Sequence, residues 1–136
     1  MSTLHLEIVT PESRSFAGEV KFVIVPGVVG GLGILPDHIP LLTEIIPGEL
    51  IVTTDTEELT FAIGGGFLEV RPDRVSVLTD MALKDEEIDE KSAEEAVARA
   101  EREIREGALS GEELALVQSS LLRSLAQLHV KRRTRR

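Results

Sequence analysis

The sequence predicts a two-part α and β protein: an antiparallel β-sandwich of about ten strands, followed by an antiparallel α-helical hairpin. Three observations predict it. Apolar residues alternate with period two up to about residue 82. Turn-forming residues interrupt that pattern about every ten positions. Beyond residue 85 the apolar spacing changes to threes and fours, the period of an amphipathic helix.

The first strand is read from Leu4, Leu6 and Ile8, with His5 and Glu7 on the opposite face. Val20, Phe22 and Ile24 repeat the alternation, as do Leu59, Phe61 and Ile63, then Val75 and Val77. Between them stand Pro11, Gly18, Pro26-Gly27, Pro36-Asp37, Pro47-Gly48, Gly64-Gly65-Gly66 and Pro72-Asp73, all read as turns. Short strands at this spacing suit a sandwich or flattened barrel, with eight to ten strands expected within residues 1–82. Ala93, Val97, Ala100 and Ile104 then form one helical stripe, and Leu114, Val117, Leu121, Leu125 and Leu128 a second. Gly107-Ala108-Leu109-Ser110-Gly111 breaks the two apart, and Ser110 with Glu113 has the spacing of a capping box. The domains are therefore drawn at 1–84 and 85–136. An Ala-rich stripe facing a Leu-rich one allows close helix approach but buries little apolar area. Such a hairpin is marginal unless it docks, either permanently on the sandwich or as a movable element.

Composition narrows the function. The chain has 136 residues and 42% hydrophobic content, enough for a packed core. Its 24 acids against 15 bases give a net charge of −9, and it has neither Trp nor Tyr, so a general nucleic-acid binder is disfavoured. Cysteine is absent, which removes disulfides, thiolate metal sites and cysteine nucleophiles. No apolar run reaches the roughly 20 residues of a membrane span, and MSTLHLEIVT has no signal-peptide pattern, so a soluble intracellular protein is expected. Charge is also uneven along the chain. Residues 85–113 carry a net −8, whereas the end reads Lys131, Arg132, Arg133, Thr134, Arg135, Arg136. The cations suit a helix C-terminus. They also suit an acidic surface on a partner protein.

Signatures of chemistry are scarce. There is no phosphate-binding G-x-x-x-x-G-K-[ST] loop, and the glycine clusters at 30–33 and 64–66 lack dinucleotide spacing. His5, His38 and His129 fall in a strand, a loop and a helix end, with no carboxylate at ligand spacing, so no metal site is expected. Asp37 beside His38 reads as turn chemistry. No catalytic residue is assigned and no cofactor is expected.

Four stretches carry a resemblance. GGLGILPDHIPLLTEIIPGEL (Gly30 to Leu50), FAIGGGFLEVRPDRVSVLTD (Phe61 to Asp80), the opening LEIVTPE and the helical IDEKSAEEA (Ile88 to Ala96) resemble, in order and spacing, the epsilon subunit of bacterial F-type ATP synthases. The resemblance spans essentially the whole chain. It implies a ten-stranded sandwich with a C-terminal helix pair, and a non-catalytic role in the central rotor. The implied partners are the gamma subunit and the c-ring for the sandwich, and the alpha and beta subunits for an extended hairpin that inhibits ATP hydrolysis. On that pattern Arg123, Lys131, Arg132 and Arg133, with the rest of the basic tail, would approach an acidic segment of the beta subunits. Loops around Gly31 and His38 would face the c-ring at the lower edge of the sandwich, although Gly31 stands where other members often carry a charge. The implied location is the cytoplasmic face of the bacterial plasma membrane, as a peripheral part of the complex.

Some members of that family bind ATP on the folded hairpin through an I/L-D-x-x-R-A motif. Ile88, Asp89 and Ala93 match it, but Ser92 stands at the arginine. A second family arginine falls at Gln127 and a glutamate at Leu83, while Arg123 is retained. Loss of two guanidinium forks predicts weak ATP binding or none. Asp89 by itself reads as the N-cap of the first helix. The alternative to the rotor role is an ATP-sensing regulatory module.

Overall fold

A computed structural model describes residues 2–134 and contains ten strands, one 3₁₀ turn and two helices. The strands are β1 (Leu4–Val9), β2 (Arg14–Val20), β3 (Phe22–Gly27), β4 (Gly30–Ile34), β5 (Leu41–Ile45), β6 (Gly48–Thr53), β7 (Glu58–Ile63), β8 (Gly66–Arg71), β9 (Arg74–Thr79) and β10 (Ala82–Lys84). A 3₁₀ turn at Asp85–Glu87 leads to α1 (Glu90–Glu106) and α2 (Gly111–Thr134). The expected fold class and strand number are both found.

Hydrogen-bonded strands run in the order β10-β7-β6-β3-β5-β8-β9-β1-β2, with β4 paired to β3 off this path. The sheet bends at β3, which pairs with β6 through Phe22, Val23 and Ile24, then meets β5 at Gly27 opposite Ile45. That change of partner folds one continuous ladder into two facing layers. All pairings are antiparallel except β1 with β9, where His5 to Val9 run parallel to Arg74 to Leu78.

Alternation supplies the core. Leu4, Leu6 and Ile8 of β1, Leu68 and Val70 of β8, and Val75 and Val77 of β9 are all buried between the layers. Phe61 lies at the centre, its ring edge-on to Phe16 with centroids 6.0 Å apart. One run is placed differently from its sequence reading. Val20, Phe22 and Ile24 do not form one inward row: β2 ends at Val20, and β3 buries Val23 and Val25 instead. Lys21 sits between the two strands and donates its N–H to the Thr53 carbonyl, which breaks the alternation there. Gly18 likewise lies inside β2, paired with Leu6, and is not a turn.

The helices are capped as their ends require. The Asp89 carboxylate accepts the Ser92 N–H at 3.1 Å and begins α1. Gly107, at φ 68°, ends α1 in the left-handed conformation that glycine adopts without strain. At the start of α2 the Ser110 Oγ accepts the Glu113 N–H, and the Glu113 carboxylate accepts the Ser110 N–H, completing the capping box. The helices pack against each other along their length, and α2 alone of the two packs extensively on the sandwich, against β6 and β7.

Candidate functional site

The junction between hairpin and sandwich gathers most of the residues that the sequence singles out. Its apolar part is small: Ala62 of β7, Ile88, and Ala126 and Val130 of α2, flanked by Met81 and Leu83. Ion pairs surround it. Arg123 Nη1 lies 3.2 Å from Asp80 Oδ2. Lys131 Nζ donates to the Asp85 carbonyl at 3.1 Å and sits 3.7 Å from its carboxylate. Arg132 pairs with Glu90 at 3.2 Å and Glu94 at 3.5 Å, both on α1. Arg133 donates to Glu49 of β6 and lies 3.8 Å from Glu58 of β7.

Glu49 is the most enclosed of these acids, with its side chain 14% exposed. One of its oxygens is buried without a hydrogen bond, with the His129 Nε2 at 3.9 Å. A carboxylate in that position is costly unless cations stay beside it. Gly64 sets the Asp80 contact. A Cβ at residue 64 would overlap Asp80 Oδ1 and come within 3.3 Å of Arg123 Cδ, so a larger residue there would push the carboxylate from its present place across the strand end.

The nucleotide-motif residues are present but occupied with one another. Asp89 accepts both the N–H and the Oγ–H of Ser92, each at 3.1 Å, and these bonds hold its carboxyl below the usual aspartate range. Ile88 is buried in the junction cluster, and Ala93 is buried in the hairpin stripe. Gln127 donates to Met81 Sδ at 3.2 Å, and Leu83 packs on the same cluster. Arg123 is turned to Asp80. The arrangement offers a polyphosphate no free guanidinium fork among these positions.

Gly31 and His38 are not brought together. Gly31 lies within β4, opposite Pro26, so its expected place in a loop is corrected: the β3–β4 turn is made by Val28 and Val29, and β4 begins at Gly30. His38 lies in the connection beyond the other end of β4, roughly 10 Å further by strand rise. Its Nδ1 bonds the Ile39 carbonyl at 2.7 Å, and Asp37 beside it has φ 65°. His5 has carboxylates on both sides, Glu19 at 2.9 Å and Glu7 at 3.5 Å, but no grouping of metal-ligating residues occurs among the described residues. Arg135 and Arg136 of the basic tail lie outside the described residues.

Sequence reasoning missed a second surface. Leu42 on β5, Phe67 on β8 and Leu78 on β9 point outward and are 70%, 55% and 50% exposed. Phe67 stands directly opposite Leu78, and Leu42 is one diagonal step away. A shallow depression lined by Val9, Pro11, Gly65 and Gly66 continues this patch beside Leu78. The available signal was doubled apolar residues: Leu41-Leu42, Phe67-Leu68 and Val77-Leu78 each put one side chain on the wrong face of an alternating strand.

Family models cover both halves. Residues 3–85 match the β-sandwich domain of the ATP synthase delta/epsilon chain, and residues 86–132 match its long α-helix domain. The chain belongs to the ATP synthase delta/epsilon family. Among its relatives are epsilon chains from Dehalococcoides mccartyi strain BAV1 (44% identical, 100% of this chain and 97% of that one), Laribacter hongkongensis (42%, 94% and 92%) and Halorhodospira halophila (45%, 94% and 92%). The fold is shared with a chain of the Euglena gracilis mitochondrial ATP synthase OSCP/F1/c-ring structure. There the TM-score is 0.77 at 18% identity, over 100% of this chain and 83% of that one. A chain of the Tetrahymena thermophila mitochondrial ATP synthase central stalk/c-ring structure matches 62% of this chain and 68% of its own length, with TM-score 0.53 and 14% identity.

Proposed function

We propose that this chain is the non-catalytic rotor subunit of an F-type ATP synthase, joining the gamma subunit to the c-ring and restraining ATP hydrolysis with its helical hairpin. Residues 1–84 act as the rigid coupler and residues 85–136 as the regulatory element. The observation that carries the reading is the joint between them. It combines a well-packed sandwich with a hairpin held through four junction residues and a ring of ion pairs. A close-packed core transmits force without deforming. A small seam separates two packings by only a few kcal/mol, as a switch requires.

The exposed Leu42–Phe67–Leu78 face supports docking on gamma, because desolvating three large apolar groups suits a permanent partner. The ends of β4 near Gly31 and His38 are assigned to the c-ring. Released from the sandwich, α2 would present Arg123, Lys131, Arg132 and Arg133 to an acidic segment of the beta subunits. It would lay its apolar residues along helices of gamma. Rotation is then blocked by contact strength, and no bond is made or broken on this chain. The subunit sits peripherally on the cytoplasmic face of the membrane through its partners; no helix among the described residues is long and apolar enough to cross a membrane.

Deleting residues 85–136 tests the regulatory half. The expected result is higher ATPase activity in the assembled catalytic head, and unchanged activity refutes inhibition by the hairpin. Binding of ATP is weak or absent, because Ser92, Gln127 and Leu83 replace the groups that would hold phosphates and Asp89 is already bonded. Titration of the isolated chain with Mg-free ATP checks this, and a micromolar dissociation constant would favour the nucleotide-sensing reading.

A further inference from the structure

We infer that the docked hairpin is an electrostatic self-latch. Acids of the chain's own sandwich and first helix hold the cations of α2 and thereby withhold them from any acidic partner. The inference rests on the proposed function only for the identity of that partner. Each of the four cations described on this part of α2 already has an acidic counterpart. Arg123 is on Asp80, Lys131 on Asp85, Arg132 on Glu90 and Glu94, and Arg133 on Glu49 and Glu58. The partners come from β6, β7, the loop after β9, the 3₁₀ turn and α1, so the helix is gripped from several elements at once.

The apolar contact beneath is made mostly of Ala62, Ala126 and Val130 with Ile88, two of them alanines. Charge therefore contributes a large share of the docking free energy. A partly exposed ion pair changes an equilibrium by a factor of roughly two to five. Arg123 on Asp80 and Arg133 on Glu49 and Glu58 span helix and sandwich and together shift the docked-to-undocked ratio several-fold, while Lys131 and Arg132 hold α2 to the 3₁₀ turn and α1. Glu49 adds an asymmetry. With one oxygen buried and unbonded, it depends on Arg133, and undocking returns it to water. Closure and capture by an acidic surface then become mutually exclusive uses of the same guanidinium groups. Ionic strength sets the balance when no partner is present.

The latch has a geometric component separable from charge. Asp80 meets Arg123 in its present rotamer because residue 64 lacks a Cβ. Gly64→Ala pushes the Asp80 carboxylate aside while leaving every charge in place.

The test uses the isolated full-length chain. It has no cysteine, so Thr56→Cys in the β6–β7 turn and Glu112→Cys at the start of α2, both exposed, place two spin labels at defined sites. The distance distribution is measured from about 20 mM to about 1 M NaCl, a range over which the screening length falls from roughly 20 Å to 3 Å. The expected result is a docked distance at low salt, with an undocked population that grows several-fold as salt rises. In the Glu49→Gln/Asp80→Asn/Asp85→Asn variant that population is present at low salt and responds weakly to added salt. Gly64→Ala gives the same change to a smaller extent, and poly-L-glutamate promotes undocking where poly-L-glutamine does not.

A distribution unaffected by salt, by these variants and by poly-L-glutamate overturns the inference, since the apolar seam alone would then hold the hairpin. If the triple variant fails to fold, Arg132→Gln/Arg133→Gln on the exposed edge of α2 repeats the test, with sandwich amide protection as the control. A salt-insensitive hairpin on a chain that still binds gamma and inhibits ATPase removes the latch and leaves the proposed function. A salt-responsive hairpin on a chain that ignores gamma does the reverse.

Discussion

Val130→Ala should loosen the hairpin without touching the sandwich. Val130 is fully buried in the four-residue cluster between α2 and β7, where it is the larger of the two side chains α2 contributes. The substitution removes two methyl groups, about 1.6 kcal/mol at about 0.8 kcal/mol each. A residual cavity term brings the cost to about 2 kcal/mol. The better helix propensity of alanine offsets at most about 0.6 kcal/mol of this, less than the spread of the cavity term. Two kcal/mol is about 30-fold in the docking ratio.

Native-state hydrogen exchange reads it directly. An undocked two-helix unit of this composition is too weak to protect its amides. Amides of 121–133 and of the α1 turns packed on them should therefore exchange about 30-fold faster. Amides of β1, β8 and β9 should be unchanged, since the sandwich core is a separate apolar cluster. Equal acceleration in both regions would refute a separable hairpin. No acceleration in either would show that the seam does not hold it.

Replacing Phe67 by Ser on the outer sheet face should leave the urea midpoint nearly unchanged, because the side chain is 55% exposed, yet sharply weaken capture by a gamma subunit in a pull-down. Gly66→Ala should cost about 3 kcal/mol or more in urea unfolding, since its Cβ would overlap the backbone carbonyl of Leu78 at a φ of 158°. Ser110→Ala removes one half of the α2 capping box and should cost about 1 kcal/mol of hairpin stability, read as faster exchange in the first turn of α2.

Acid should fray the helices. The Ser92 N–H and hydroxyl hold the Asp89 carboxyl below its ordinary range, and the Ser110 hydroxyl and N–H do the same for Glu113. The folded state thus binds fewer protons than the unfolded state. The stabilisation is complete above the ordinary carboxylate values near about 4 and is lost as pH falls through the lowered ones. Helical circular dichroism should fall in that window, and Asp89→Asn, which still caps, should flatten the response at α1.

The strands and helices were legible because each shows one dominant period. Leu4, Leu6 and Ile8, or Val75 and Val77, need only a sheet with one buried face, and the core places them there. The second helix was less legible because it is buried on two sides. Leu114, Val117 and Leu121 line the side toward α1, and all are half-buried as the stripe predicts. Near the sandwich, Ala126 and Val130 become buried and Leu125 is left 43% exposed, because a single-stripe reading assumes a single neighbour. The parallel pairing of β1 with β9 joins segments some seventy residues apart and leaves no mark on either strand's alternation. The ion pairs were hidden for the same reason. Arg133 and Glu49 are 84 positions apart, and only the docking of α2 onto β6 makes them neighbours.

The family resemblance gives Arg123, Lys131, Arg132 and Arg133 a distant acidic partner, and a helix end carrying that charge would bind many acidic surfaces unaided. In the folded chain they face Glu49, Asp80, Asp85 and Glu90, on a body whose net charge is −9. The acid-rich first helix follows from this. Residues 85–113 carry a net −8, far more than helix capping needs, and Arg132 and Lys131 return to that segment at Glu90, Glu94 and Asp85. The Ala-rich face of α1 then has a complementary purpose. Ala93 and Ala100 let α2 approach closely while adding little apolar area, so Arg132 reaches Glu90 and Glu94 across a thin seam. Replacing those alanines by leucine would strengthen the seam in either of two ways, by deeper burial or by spreading the helices. Only the second would part Arg132 from Glu90, and a closed hairpin with that pair broken would separate the two contributions.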